Sequence, residues 1–265
     1  MPSYARILAT VVMSAGLLGC STPAERVVVP ASGVLTNAVP ASPEPSGTIA
    51  VATAPVSVRY TFDAGVTRPI TDQAGAYELR ALGENTGTLS LVPQNGGLAL
   101  QYPARCTLPD ESACPRAILE GTRDDALNPG TRAMQYGASI RMTAEDLADG
   151  ANVFQKGYSV GGVTQFKLQV DHKQGHPSCV IAGTDKIYKA EPKLNVADGT
   201  WHNLTCSREG NELTLTVDDK QGASVTVPPT LSIANAEPLR VGGKGATSGN
   251  DQYAGQIDNV FLTID

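Results

Sequence analysis

The chain has 265 residues, with 20 Lys and Arg against 26 Asp and Glu and a formal net charge of −6. Its acids and bases are interspersed, so it lacks the basic stripe needed to displace counterions from a nucleic acid, and nucleic acid is excluded as a partner. With 27 Gly, 18 Pro and only 5% aromatic residues, the composition suits many short strands separated by turns.

The first residues address the chain for export. Arg6 precedes an apolar run from Ile7 to Gly19 that is too short to span a bilayer but has the length of a signal-peptide core. The run ends in Leu17-Leu18-Gly19-Cys20, which resembles the site where a lipoprotein signal peptidase cuts before a cysteine that is then lipidated. Leu18 departs from the small residue usual there. Residues 1–19 are therefore expected to be a signal peptide, with Cys20 lipid-anchored at a bacterial cell membrane or surface; ordinary secretion after Ala24 is the alternative. Residues 20–55, rich in Pro, Ser, Ala and Thr and without periodicity, read as a disordered tether. About 30 residues of such chain reach on the order of 30 Å, enough to lift a domain off headgroups.

From Val56 onward the pattern is that of strands. "VSVRYTF" places Val56, Val58, Tyr60 and Phe62 on one side and Ser57, Arg59 and Thr61 on the other. The turn "TDQAG" follows. Cys106 and Cys114 flank a turn-like "TLPDESA", and "TAEDLADG", opened by Thr143, reads as a one-turn connection. "QFKLQVD" alternates again, with Phe166, Leu168 and Val170 opposite Lys167, Gln169 and Asp171. "DHKQGHP" is a hairpin turn, so the i, i+4 spacing of His172 and His176 does not form a helical zinc site. "DGTWHNLTC" splits into His202, Leu204 and Cys206 on one face and Trp201, Asn203 and Thr205 on the other. Trp201 is either a packing residue or a sugar-stacking platform; His202 reads as packing. "ELTLTVDD" and "ASVTV" continue the alternation, and "GGKGATSG" is a glycine turn without the Lys-Ser/Thr ending of a phosphate loop. The expected fold class is all-β, an antiparallel two-sheet sandwich.

Five cysteines are odd for an exported chain, but with Cys20 set aside for lipid, four remain, with three possible connectivities. The turn between Cys106 and Cys114 and the strand-like positions of Cys179 and Cys206 favour those two pairs.

The order of blocks "VRYTFDAG", "NVFQKGYSVGGVTQFKLQVD", "PSCVIAG", "VADGTWHNLTCSREGNELTLTVDD", "PLRVGGK" and "YAGQIDNVFLTID" resembles bacterial laminin G-like domains of the concanavalin A-like lectin and glucanase superfamily. The resemblance covers residues 56–265 and implies one jelly-roll domain, Cys179 bridged to Cys206 on a neighbouring strand, and a noncatalytic surface module for glycan or extracellular protein ligands. It also implies that the first and last strands lie side by side, bringing Asp63 and Asp72 near Asp258, which shares parity with Val260, Leu262 and Ile264. Oxygen ligands of this kind suit a structural calcium ion; solvated turn acids are the other reading. Glucanases of the superfamily carry paired acids along one strand, and no such run occurs here. Catalytic residues are thus not expected, and an envelope-spacing role stands as a further alternative.

Overall fold

A computed structural model describes residues 49–65, 69–148, 150–171 and 174–265. The signal peptide, Cys20, the tether up to residue 48 and His172 lie outside the described residues. Residues 50–54, assigned above to the tether, run along the folded domain. The Ala52 amide donates to the Asn128 carbonyl at 2.7 Å, Asn128 Nδ2 to the Ala50 carbonyl, and Arg132 to the Ala54 carbonyl.

The described residues form sixteen strands in chain order: β1 (Val56–Tyr60), β2 (Ile70–Thr71), β3 (Glu78–Glu84), β4 (Ser90–Gln94), β5 (Gly97–Gln101), β6 (Arg116–Gly121), β7 (Met134–Arg141) and β8 (Ala151–Gly157). These are followed by β9 (Gln165–Val170), β10 (Pro177–Ala182), β11 (Ile187–Ala190), β12 (Trp201–Glu209), β13 (Glu212–Val217), β14 (Lys220–Thr226), β15 (Leu239–Val241) and β16 (Gln256–Ile264). The connection after β7 is one turn of 3-10 helix, Ala144–Asp146, closed by reciprocal bonds between Thr143 and Asp146.

All the strand pairs are antiparallel and fall into two sheets. The first has the order β14-β13-β12-β7-β16-β5-β4, with β1 also on β16; the second has the order β11-β10-β9-β8-β15-β6-β3-β2. The inward rows carry the core. Val58 and Tyr60, Phe166, Leu168 and Val170, Leu204 and Cys206, and Leu213, Leu215 and Val217 are all buried, as their alternation predicts.

Three contacts lock one sheet to the other. Tyr136 on β7 stacks against Phe166 on β9 at 5.0 Å between ring centroids. Its hydroxyl reaches the carbonyls of Lys167 and Val180, at 3.3 and 3.2 Å. Cys179 on β10 is bridged to Cys206 on β12. The second disulfide, Cys106–Cys114, closes a short loop before β6. Both favoured pairings are therefore present.

A bridge restricts the unfolded chain more when it closes a longer loop. Cys179 and Cys206 are 27 residues apart, Cys106 and Cys114 only 8. Replacing the first pair by alanine is expected to cost about 3.5 kcal/mol and the second about 2.5 kcal/mol. Urea unfolding of the two double variants checks this, and an equal or reversed order contradicts the inter-sheet staple.

Candidate functional site

The second sheet has an unusual outer face. On an ordinary sandwich, side chains alternating with the core row are solvated. Here β8, β9 and β10 are buried on both faces. Register places three rows side by side across β8, β9 and β10: Asn152, Gln169 and Ser178; then Gln155, Lys167 and Val180; then Gly157, Gln165 and Ala182. The middle row continues through Arg240 on β15, Glu120 on β6 and Arg80 on β3, and on the other side through Lys189 on β11. A bulge at Val153 turns both Asn152 and Gln155 outward.

The amides in these rows are held in fixed orientations. Asn152 Nδ2 donates to Gln155 Oε1 at 2.8 Å, and Gln155 Nε2 and Gln165 Nε2 both donate to the Gly157 carbonyl. Gly157 adopts φ +87°, and a Cβ there would fall 2.0 Å from the Thr164 carbonyl, so only glycine can present that acceptor. With their amino groups committed, the oxygens are left over. Among the described residues, four buried side-chain polar atoms have no hydrogen-bond partner, and three of them, Asn152 Oδ1, Gln165 Oε1 and Ser178 Oγ, belong to this face. The fourth is Arg208 Nε, in the first sheet.

Charge on the face is mostly paired. Arg240 holds Glu120 at 2.6 Å and Glu237 at 3.0 Å, and stands 5.3 Å from the centre of the Tyr158 ring. Lys244 holds Asp251 at 2.7 Å, and Lys189 pairs with Glu191. The loop after β15 forms one rim: the Tyr158 hydroxyl donates to the Lys244 carbonyl, and the Asn152 amide to the Asp251 carbonyl. Gly242 starts that loop at φ +88°, where a Cβ would collide with the Tyr102 ring. Lys167 differs from these cations. It is 9% exposed and has no side-chain partner among the described residues, and desolvation holds its ammonium down to about 8.

The residues singled out from sequence lie elsewhere. β1 pairs with β16, as the resemblance implied, and brings Asp63 and Asp258 within electrostatic reach. Burial pushes the Asp258 carboxyl up to about 6, and the charge of Asp63 adds to the shift. Asp63 Oδ1 accepts from the Leu98 amide at 2.9 Å. Asp72 is not gathered with them. Its two oxygens accept the amides of Ala74, Ala76 and Tyr77 in its own turn. Among the described residues, no group of three or more His, Cys, Asp and Glu is placed to hold a metal ion.

The parity assigned to Asp258 needs correction. A bulge between Asp258 and Phe261 on β16, with Asn259 at φ 49°, inserts one residue against β7. Ile257 and Val260 therefore both face the core, while Asp258 joins Ser139 and Phe261 on the outer face of the first sheet. Strict alternation cannot reveal an inserted residue.

Trp201 is half-buried at the start of β12, opposite Arg141 in the first sheet. His202 is more than packing: its Nδ1 is 2.7 Å from Asp218 Oδ2 and its Nε2 3.2 Å from Asp198 Oδ1. Burial opposes its charge, but the bonds to the two acids outweigh burial and raise its pKa. The outer face of the second sheet went unmarked in the sequence. Lys167, Gln165 and Asn152 look like ordinary solvated residues until register sets them together.

A family profile, Laminin_G_3, described as the concanavalin A-like lectin/glucanases superfamily, matches residues 124–262, more than half of the chain. No curated protein matches. Among solved structures, domain 4 of AbnA, a GH43 extracellular arabinanase from Geobacillus stearothermophilus in complex with arabinotriose, aligns at TM-score 0.59 and 13% identity. It covers 78% of this chain and 91% of that one. The binding domain of Paraclostridial Mosquitocidal Protein 1 aligns at TM-score 0.54 and 12% identity, over 72% of this chain and 45% of the other. A structure of botulinum neurotoxin type C, whose cell entry depends on interaction with two ganglioside molecules, aligns at TM-score 0.54 and 10% identity, over 77% and 46%. The chain thus spans under half of either toxin chain, and identities this low establish the fold alone.

His202 supplies a pH signature. Its folded pKa lies above the ordinary value, so its contribution is complete below about pH 6.5 and is lost as pH rises through the folded pKa. His202→Gln is expected to be about 1–2 kcal/mol less stable than the native chain at pH 5.5, the gap closing by pH 8.5. Denaturant midpoints of both proteins across that range check it; a gap that does not change with pH removes the ionic role.

Proposed function

Because the chain belongs to the Laminin_G_3 family of the concanavalin A-like lectin/glucanases superfamily, we propose that it is a noncatalytic binding module for a glycan. The observation that carries this reading is the family match joined to a fold shared with an arabinanase domain solved with arabinotriose.

The carboxylates of the face favour binding over glycoside hydrolysis. A general acid needs a raised pKa and an unencumbered proton, whereas Glu120 and Glu237 are tied to Arg240 and Asp251 to Lys244.

A calcium ion is proposed at Asp63 and Asp258, an all-oxygen pair of which one member is buried and destabilised as an anion. There it would neutralise Asp258 and clip the first strand to the last. Asp72, committed to its own turn, is left out of that pair. The two disulfides fit an extracellular or surface setting, and among the described residues no helix is long and apolar enough to cross a membrane. Export with lipid at Cys20 is proposed on that basis and on the Leu17–Cys20 motif.

Two experiments test the reading. On a glycan array run with and without chelator, the protein is expected to bind a restricted set of glycans. Ser178→Ala is expected to raise the unfolding midpoint slightly and leave that binding unchanged, because it removes a buried hydroxyl that has no partner among the described residues. Calcium is expected to raise the native unfolding midpoint but not that of Asp258→Asn. Absence of any glycan binding with and without chelator sinks the module. Separately, intact mass of the membrane-extracted protein is expected to show a diacylglycerol adduct at Cys20, and an unmodified cysteine there contradicts the anchor.

A further inference from the structure

A cavity of about 170 Å³ opens where β3 begins, β6 ends and Tyr60 closes β1. It is lined from both sheets. Tyr60, Leu79, Leu127 and Leu239, each at most 3% exposed, make its floor. Glu78 and Thr122 are exposed at its rim, and Tyr77 and Asp124 stand half-buried between rim and floor. The cavity is therefore open to solvent.

The local fold gives it one sign of charge. Asp72 accepts the Tyr77 amide at 2.8 Å and so sets Tyr77 in the cavity wall, where the Tyr77 carbonyl accepts the Tyr60 hydroxyl at 3.3 Å. Burial holds both phenols above their ordinary pKa, and negative charge adds to it: that of Asp72 on Tyr60, and those of Asp124 and Asp72 on Tyr77. Asp124 commits Oδ1 to the Ala126 amide at 2.8 Å, as the cap of a 3-10 turn, which leaves its other oxygen to face a ligand. Glu78 forms no ion pair among the described residues. The basic groups around it leave this charge in place. Arg123 is held by Asp125, the Lys156 ammonium by Asn128 and Asn235, and Arg80, two residues along β3, forms no ion pair with either acid.

Size decides what fits. The volume is close to the roughly 150 Å³ of a cavity that admits one benzene-sized molecule, and below the roughly 300 Å³ at which pockets for drug-sized ligands begin. A sugar chain does not enter. A single small group with a carbon stem and one positive charge is complementary, because leucines and tyrosine rings receive the stem while carboxylates and a ring face attract the charge. An anion is repelled, and a metal ion lacks ligands: among the described residues no group of three or more His, Cys, Asp and Glu is placed to hold one.

We propose that this cavity binds a small alkylammonium group, its nitrogen between Asp124 and Glu78 at the rim and its carbon stem on Leu79, Leu127 and the Tyr77 ring. The site is independent of the glycan reading above and stands or falls apart from it. A monoamine and the end of a polyamine present the same group.

Isothermal titration of the full chain at neutral pH and low salt, with n-butylammonium, spermidine, n-butanol and butyrate, tests the proposal. Both amines are expected to bind, with n-butanol and butyrate at least tenfold weaker. Spermidine more than tenfold tighter than butylammonium marks a polyamine as the source, and comparable affinities mark a monoamine. Asp124→Asn, which keeps a capping side chain, and Glu78→Gln are each expected to weaken amine binding at least fivefold with the thermal midpoint unchanged. Glu145→Gln, an exposed acid in the turn after β7, is expected to leave it as it was. Equal affinity for n-butanol and butylammonium overturns the ammonium assignment. A loss in Glu145→Gln as large as in Asp124→Asn reduces the effect to net charge and overturns the site, as does amine binding that neither cavity variant changes. Absence of amine binding in the millimolar range overturns the proposal outright.

Discussion

The alternation of side chains along β9 is the constraint on which the rest depends. Phe166, Leu168 and Val170 cannot enter the core without turning Gln165, Lys167 and Gln169 to the opposite face. Tyr136 enforces this register from the other sheet, with its ring on Phe166 and its hydroxyl on the carbonyls of Lys167 and Val180. A slip of one residue on β9 would put an ammonium and two amides into the core and leave three large hydrophobes in solvent. Core packing therefore specifies the candidate site as firmly as it specifies the fold. The Cys179–Cys206 bridge adds to this, because it fixes β10, and with it Ser178 and Val180, against β12 of the first sheet.

Much of this was legible in the sequence. The strands "QFKLQVD" and "ELTLTVDD" announce their inward rows directly, because a half-buried strand needs only local alternation. Both disulfides could be paired from parity and position. The capped turn at Thr143 was visible from its residues alone. The short segment 50–54 was missed because it has no hydrophobic pattern; main-chain bonds to Asn128 and packing of Val51 against Gly130 hold it in place.

The site itself was not legible, for a physical reason that applies at each of its positions. Gln155, Lys167, Val180 and Arg240 become neighbours only through the pairings β8–β9, β9–β10 and β8–β15, which join segments up to 85 residues apart in the chain. Nothing local distinguishes a lysine whose stem is buried on a sheet face from a solvated one. Asp258 shows the complementary failure. Its parity was read correctly from the letters, but one extra residue at Asn259 reversed its direction. Glycine fares differently: Gly157 and Gly242 carry a conformational requirement that leaves a mark in the residue type, though what each accommodates is known only from the fold.

The two outer faces of the sandwich differ in how fully their polar groups are satisfied. On the first sheet, Ser139 Oγ donates to Asn203 Oδ1 at 2.6 Å, Asp258 accepts from Asn259, and Arg59 lies 5.2 Å from the centre of the Phe261 ring, which itself covers Gly137. Most polar groups there find partners within the chain, and the exception is the buried Asp258 carboxyl, whose pKa burial raises. On the second sheet the amino halves of Asn152 and Gln165 are anchored while their oxygens have no partner among the described residues, and the carboxylate whose charge acts on Lys167, Asp251, is already paired with Lys244. Those oxygens are sealed from solvent as well as unpartnered, so the face carries a desolvation cost that the hydrophobic rows beneath it must offset. A face built only for stability would have hydrophobic or mutually bonded side chains at these positions, as Val180 and Ala182 show is possible on the same strands.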